Sequence, residues 1–204
     1  VRLILDSGAD GYFLCDLREY DCDLLKEFPD KMFITDSRDE FKNKARAHDN
    51  LYVLQYSMRP EFFSTGIKFS EGPKNRWIPS IPSEIYLKIL LSQTDLREFQ
   101  YFDIGPIGNN TRHDICGTPV GLQVTSDVVS SLEKHLEGSS AHLFFSGGIR
   151  AEKNGHGTYT LNEVLNSVKP KMFGGIFVGS AISGAPDSEI PGLIERYKMQ
   201  RRQV

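Results

Sequence analysis

The sequence predicts an α/β protein with a parallel sheet, built as a (β/α)8 barrel. Strand-like and helix-like segments alternate along the chain, and the strand segments are apolar on both sides, as strands covered on both faces are. About seven or eight strands can be counted, and the 204 residues match the roughly 200 that a small barrel needs. One domain, 1–204, is expected. An open doubly wound parallel sheet is the structural alternative.

The elements follow in order. The opening "VRLILDSGAD" reads as the end of a helix leading into a strand at 11–16, "GYFLCD". This implies an earlier strand upstream of Val1 or a closing strand elsewhere, so the barrel is expected to lack its first strand in this chain. A helix over 17–28, a strand over 31–36 and a helix over 37–48 come next, with Ser37 as N-cap. "LYVLQYS" (51–57) is a strand. Between 58 and 80, "GIKFS" and "RWIPS" are short strand candidates. Residues 83–97 carry Ile85, Ile89, Leu90 and Leu96 at helical spacing.

"FQYFDIGPIG" (99–108) is a strand running into a Gly/Pro loop. "GLQVT" (121–125) is read as a strand, with Ser126 capping a helix that aligns Val128, Val129, Leu132 and Leu136. "HLFFSGG" (142–148) is a strand. "TLNE" (160–163) has the Thr-x-x-Glu form of a capping box before a helix bearing Leu161, Val164, Leu165 and Val168. "GIFVGS" (175–180) is the last strand, and the last helix carries Ile190, Leu193, Ile194 and Tyr197.

Composition narrows the function. The net charge is −3, from 24 basic and 27 acidic residues, and no basic run exceeds Arg201-Arg202, so no nucleic-acid partner is expected. No stretch approaches the ~20 apolar residues of a membrane span, and no signal peptide is evident. Three cysteines, Cys15, Cys22 and Cys116, without a CxxC, suggest free thiols and a cytoplasmic location. The histidines have no metal-ligand spacing, so no metal is expected.

The strongest signal is a pair of glycine turns. "FFSGGIR" (144–150) and "GGIFVGSAI" (174–182) each run strand, turn, helix. Glycine lets the backbone turn sharply and lets a ligand approach the N–H groups, which at helix N-termini attract anions. The phosphate-binding residues expected are Ser146, Gly147, Gly148, Gly179 and Ser180, through backbone N–H groups helped by the Ser146 and Ser180 hydroxyls. Taken singly, each turn reads equally as tight packing.

These two stretches resemble the C-terminal quarter of the phosphate-binding TIM barrels, the superfamily of ribulose-phosphate epimerases, orotidine-phosphate decarboxylases and the tryptophan-synthase alpha chain. "SGGIR" is also similar to deoxyribose-phosphate aldolases and some FMN-dependent barrels. The resemblance covers 142–186. It implies a phosphate held by the turns after the last two strands, with the substrate a small phosphorylated molecule. Barrels of this kind often dimerise, so a homodimer is among the assemblies implied. The decarboxylase Asp-x-Lys-x-x-Asp, the epimerase metal pattern and a late-strand Schiff-base lysine are all absent.

Catalytic residues are sought at C-terminal strand ends. Asp16, Asp36 and Asp103 fall there as general bases or metal ligands, with helix capping the plainer reading, above all for Asp36. Gln55 and Gln123 are strand-borne polar residues of the same supposed orientation. In "NNTRHDICG" (109–117), His113 is a proton shuttle and Arg112 an anion partner; an ordinary solvent loop is the alternative. Lys68, Lys74 and Arg76 lie in a stretch that either covers a ligand or is a surface excursion anchored by Trp77. The catalytic set expected is Asp16, Asp103 and His113. The function expected is lyase, isomerase or synthase chemistry on a phosphorylated metabolite, with or without a cofactor. An FMN-dependent oxidoreductase and a non-catalytic phosphate-ligand sensor are the rivals.

Overall fold

A computed structural model describes residues 1–14, 19–35, 44, 47–55, 74–105, 107, 121–151 and 158–202, excluding the side chains of 19–21, 180 and 202. Its strands are β1 (Gly11–Leu14), β2 (Met32–Thr35), β3 (Leu51–Gln55), β4 (Trp77–Pro79), β5 (Tyr101–Ile104), β6 (His142–Ser146), β7 (Ile149–Arg150), β8 (Tyr159–Thr160) and β9 (Phe173–Phe177). Its helices are α1 (Arg2–Asp6), α2 (Glu19–Glu27), α3 (Glu84–Gln93), α4 (Leu122–His135), α5 (Leu161–Val168), α6 (Ser180–Ser183) and α7 (Ile190–Arg202).

All pairing is parallel. One sheet runs β1-β2-β3-β4 and another β5-β6-β9. Among the described residues one isolated parallel bridge, Ser80 with Asp103, joins them, and the Ile81 N–H donates to the Asp103 carbonyl at 2.7 Å. The main strands therefore lie side by side in chain order. β7 and β8 form a small separate pair.

Alternation along each strand sorts the side chains onto two faces. Phe33, Leu51, Val53, Trp77, Phe102, Leu143 and Phe145 enter the larger core, which also takes the apolar stripes of the helices: Leu24 and Leu25 of α2, Leu87 and Leu90 of α3, Val128 and Leu132 of α4, Val164 of α5, Ile194 of α7. The residues between them, Ile34, Leu54 and Ile78, form a second core with Phe13, Met32, Tyr52, Tyr101 and Phe177. Every member of that second core is a strand residue. The rings of Tyr52 on β3 and Tyr101 on β5 meet edge to face at 5.4 Å. They sit two strands apart, roughly 9–10 Å in a flat sheet, so the two rings reach toward each other across β4.

Two local expectations are corrected. "GLQVT" is not a strand: α4 already runs through it from Leu122, with Gly121 as N-cap. The Thr125 N–H and hydroxyl both bond the Gly121 carbonyl, at 2.9 Å and 2.8 Å. The helical ladder thus overrides the β preference of Val124 and Thr125, and Ser126 is interior, not a cap. The helix expected over 83–97 ends at Gln93; Leu96 sits in a separate 3-10 turn capped by Asp95, and Ile85 is exposed. The strand at "RWIPS", the Thr160–Glu163 capping box and the helix before β1 are present as expected. "GIKFS" and nearly all of the helix expected at 37–48 lie outside the described residues.

Candidate functional site

Because the strands are parallel, their C-terminal ends share one rim, and residues in phase with the second core lie on the same face as it. On β5, Asp103 is in phase with Tyr101; on β6, Ser146 is in phase with Phe144; just past β4, Ser80 is in phase with Ile78. Register brings these three together. Asp103 bridges Ser80 and pairs with Phe144, and Ile104 pairs with Phe145.

Asp103 is 1% exposed. The Ser80 hydroxyl donates to its Oδ2 at 2.7 Å. Burial pushes the carboxyl up from its ordinary 3.8 to about 6, while hydrogen bonds from Ser146 and Ser80 pull the other way. Burial disfavours the charged form, and two hydroxyls do not replace the lost water. Oδ1 is enclosed with no hydrogen-bond partner among the described residues. The Ser80 N–H is itself held by the Gln55 carbonyl at 3.0 Å, so its hydroxyl is aimed from a fixed backbone.

The two glycine turns also meet. Ser146 pairs with Phe177 across β6 and β9, so Gly147-Gly148 and Val178-Gly179 leave neighbouring strand ends side by side, about 5 Å apart at parallel-strand spacing. Gly147 and Gly148 have φ of 73° and 93°, the left-handed region that glycine takes without strain. The Gly148 carbonyl accepts from the Thr158 and Tyr159 N–H groups at 2.6 and 3.0 Å, which ties the turn to β8. Behind it, Tyr197 Oη donates to the Ile149 carbonyl at 3.1 Å, and Gln200 links the Ala151 carbonyl to the Leu161 N–H. The last helix therefore braces the loop that carries the glycines.

Asp103 and Ser146, with Gly147, Gly148 and Gly179 beside them, are thus brought to one rim. Asp16, Asp36, Arg112, His113, Cys116 and Lys68 lie outside the described residues, as does the Ser180 side chain. Two expectations are corrected, for Gln123 and Gln55, and for Lys74 and Arg76 the second of the two alternatives fits. Gln123 is on α4, where its side chain bonds Asp127 at 3.1 Å. Gln55 is buried in phase with Leu51 and Val53, on the helix side of the sheet. Lys74 and Arg76 precede β4 and sit at the opposite end of the strands: Lys74 pairs with Glu98 at 2.8 Å, and Arg76 donates to the His48 carbonyl at 2.9 Å. Trp77 is the buried anchor expected of that stretch. No group of ligating side chains suited to a metal occurs among the described residues, and no described helix is long and apolar enough to cross a membrane.

Two residues carried little signal in the sequence. Ser80 gives its only sign through the Ile78-x-Ser80 alternation at a strand end. Gly105 follows β5, and a Cβ placed there would lie 2.1 Å from Ser146 Oγ and 2.8 Å from the Ser146 carbonyl oxygen. Gly105→Ala is expected to separate β5 from β6 at the rim and cost about 1–3 kcal/mol, the usual penalty of overpacking. Urea unfolding checks this; a midpoint equal to the parent's would show that the strands part freely there.

No protein-family model and no curated protein matches this chain.

Proposed function

We propose that this protein is an enzyme acting on a small phosphorylated metabolite, with Asp103 as its general acid/base and the phosphate held at the turns after β6 and β9. The observation that carries the reading is the register of Ser146 with Phe177, which sets both glycine turns beside one buried carboxyl. A carboxyl titrating near 6 exchanges protons readily at neutral pH, and perturbed groups of this kind cluster at functional sites. The N–H groups of Gly147, Gly148, Gly179 and Ser180 are the phosphate donors in this reading, Gly147 and Gly148 from a turn that runs into β7 and not into the helix expected after it, as successive turn N–H groups bind anions. Ser80 and Ser146 orient Asp103.

The fold is read as a (β/α)8 barrel one strand short. Three features support this: main strands in chain order, a second core whose described members are all strand residues, and the meeting of Tyr52 with Tyr101 across β4. On the outside α1 already packs against α7, with Arg201 3.4 Å from Asp10, while β1 and β9 remain unpaired with each other. Strand-end groups in such a barrel converge on a common axis.

Gly179 makes the test clean, since a Cβ there meets nothing within 4 Å. Gly179→Asp is expected to keep the melting temperature of the free protein while setting a negative charge against the phosphate. Thermal shifts with methyl phosphate, sugar phosphates and FMN then report binding. A ligand at 100 times its Kd adds about 2.7 kcal/mol, several degrees for a chain of this size. The shift is expected in the parent and lost in Gly179→Asp. A parent protein that no phosphate compound stabilises, or a variant that responds equally, would remove the phosphate site. A shift with FMN above all others would favour the oxidoreductase.

A further inference from the structure

Asp103 is left half-served by its own protein. Ser80 holds Oδ2 from β4. Oδ1 is buried and has no hydrogen-bond partner among the described residues, although an ionised carboxylate offers about four acceptor positions. Ser146, from β6, also acts on the carboxyl through its hydroxyl, but it does not meet Oδ1. Among the described residues, the hydrogen-bonding groups that act on the Asp103 charge are those two hydroxyls, and no lysine, arginine or histidine offsets it. Its neighbours in phase below are Ile78 and Phe144, both apolar. An acceptor left unmet in such a place costs free energy, and a group arriving with a donor recovers that cost.

We propose that Asp103 Oδ1 receives an O–H or N–H donor of the bound ligand, so that the molecule taken here is a polyol or amino-alcohol phosphate rather than one presenting only a carbonyl. The inference rests on the phosphate reading and narrows it. The adjacency of Ser146 to Gly147 in the chain sets the scale: the donor stands a few bonds from the phosphorus, as in a short sugar phosphate.

Proton linkage separates the two chemistries. A donor binds the ionised carboxylate, so it lowers the Asp103 titration midpoint, and its affinity rises with pH through about 6. A carbonyl acceptor needs the protonated acid, so it raises the midpoint and binds more weakly as pH rises. The midpoint is read from the 13C carboxyl resonance, assigned by its absence in Asp103→Asn, with three probes. Methyl phosphate carries the phosphate alone, glycerol 3-phosphate carries phosphate and hydroxyls, and erythritol carries hydroxyls alone. Methyl phosphate is expected to raise the midpoint, since its charge disfavours a nearby carboxylate, and glycerol 3-phosphate to give a midpoint below that of methyl phosphate. If methyl phosphate stabilises the protein but glycerol 3-phosphate gives a midpoint equal to or above that with methyl phosphate, the phosphate site stands and the donor inference falls. If methyl phosphate does not stabilise the protein, the phosphate reading falls and erythritol decides: a lowered midpoint sustains the donor inference, and an unchanged or raised one overturns it.

Discussion

Asp103→Asn is expected to make the protein more stable at pH 7.5 by about 2–3 kcal/mol, and, on the proposed acid/base role, to slow turnover by about 10²–10⁴-fold. The carboxyl ionises near 3.8 when exposed and near 6 when folded. As pH rises from about 4 to about 6, the unfolded chain releases this proton while the folded chain keeps it, so stability falls across that window. Above 6 both states are ionised and the loss is complete. Each pH unit by which the folded carboxyl ionises later than the exposed one costs about 1.36 kcal/mol, and Asp103 is buried away from the water that would screen its charge. The amide keeps the shape and still accepts from the Ser80 hydroxyl, but carries no charge to desolvate. It also cannot exchange a proton, a role that typically contributes about 10²–10⁴-fold to rate. Urea unfolding of both proteins at pH 4.0 and 7.5 tests this. The parent should lose stability between the two relative to the variant; the same difference in both would mean that Asp103 does not titrate as its burial dictates.

Trp77→Ala should be the most damaging single change to the fold, at about 3–5 kcal/mol. Trp77 is fully buried, and no other tryptophan exists in the chain. It stands on β4, paired with Val53 of β3, and β4 is followed at once by the bridge that joins the two sheets. Truncation opens a cavity at that seam, and surrounding helices collapse into it only in part. Against a total stability of about 5–15 kcal/mol, the loss takes a large share. Circular dichroism under urea measures it, since the variant has lost its tryptophan fluorescence. A cost under about 1 kcal/mol, below the usual range for such a truncation, would show that the seam repacks. Trp77→Phe should fall well short of the alanine cost, because it keeps a ring.

Several features were legible in the residues alone. The parallel α/β class follows from alternation of apolar runs with 3.6-period stripes. The capping box at Thr160 is local chemistry, since Thr160 and Glu163 need only each other; the Glu163 carboxylate accepts the Thr160 N–H at 2.6 Å. Asp103 was legible as a strand-end acid, and the glycine turns as places where backbone bends sharply. Where propensity and helix geometry disagreed, as in "GLQVT", the β-branched residues misled, because the Gly121 cap and the packing of Val128 and Leu132 decide that segment.

What the sequence determined by itself is therefore local: which segments are helix or strand, which turns need glycine, which acids end strands. Only the tertiary structure decided which of these meet. Register sets Ser146 against Phe177 and Ser80 against Asp103, residues 31 and 23 positions apart. The phase of each strand turns Asp103 inward and Gln55 outward. Burial, a property of the whole sheet and its helices, turns an ordinary aspartate into one that holds its proton to about pH 6. Alternation is written into each strand, but the pairing of strands and the desolvation that follows come from contacts between residues far apart in the chain.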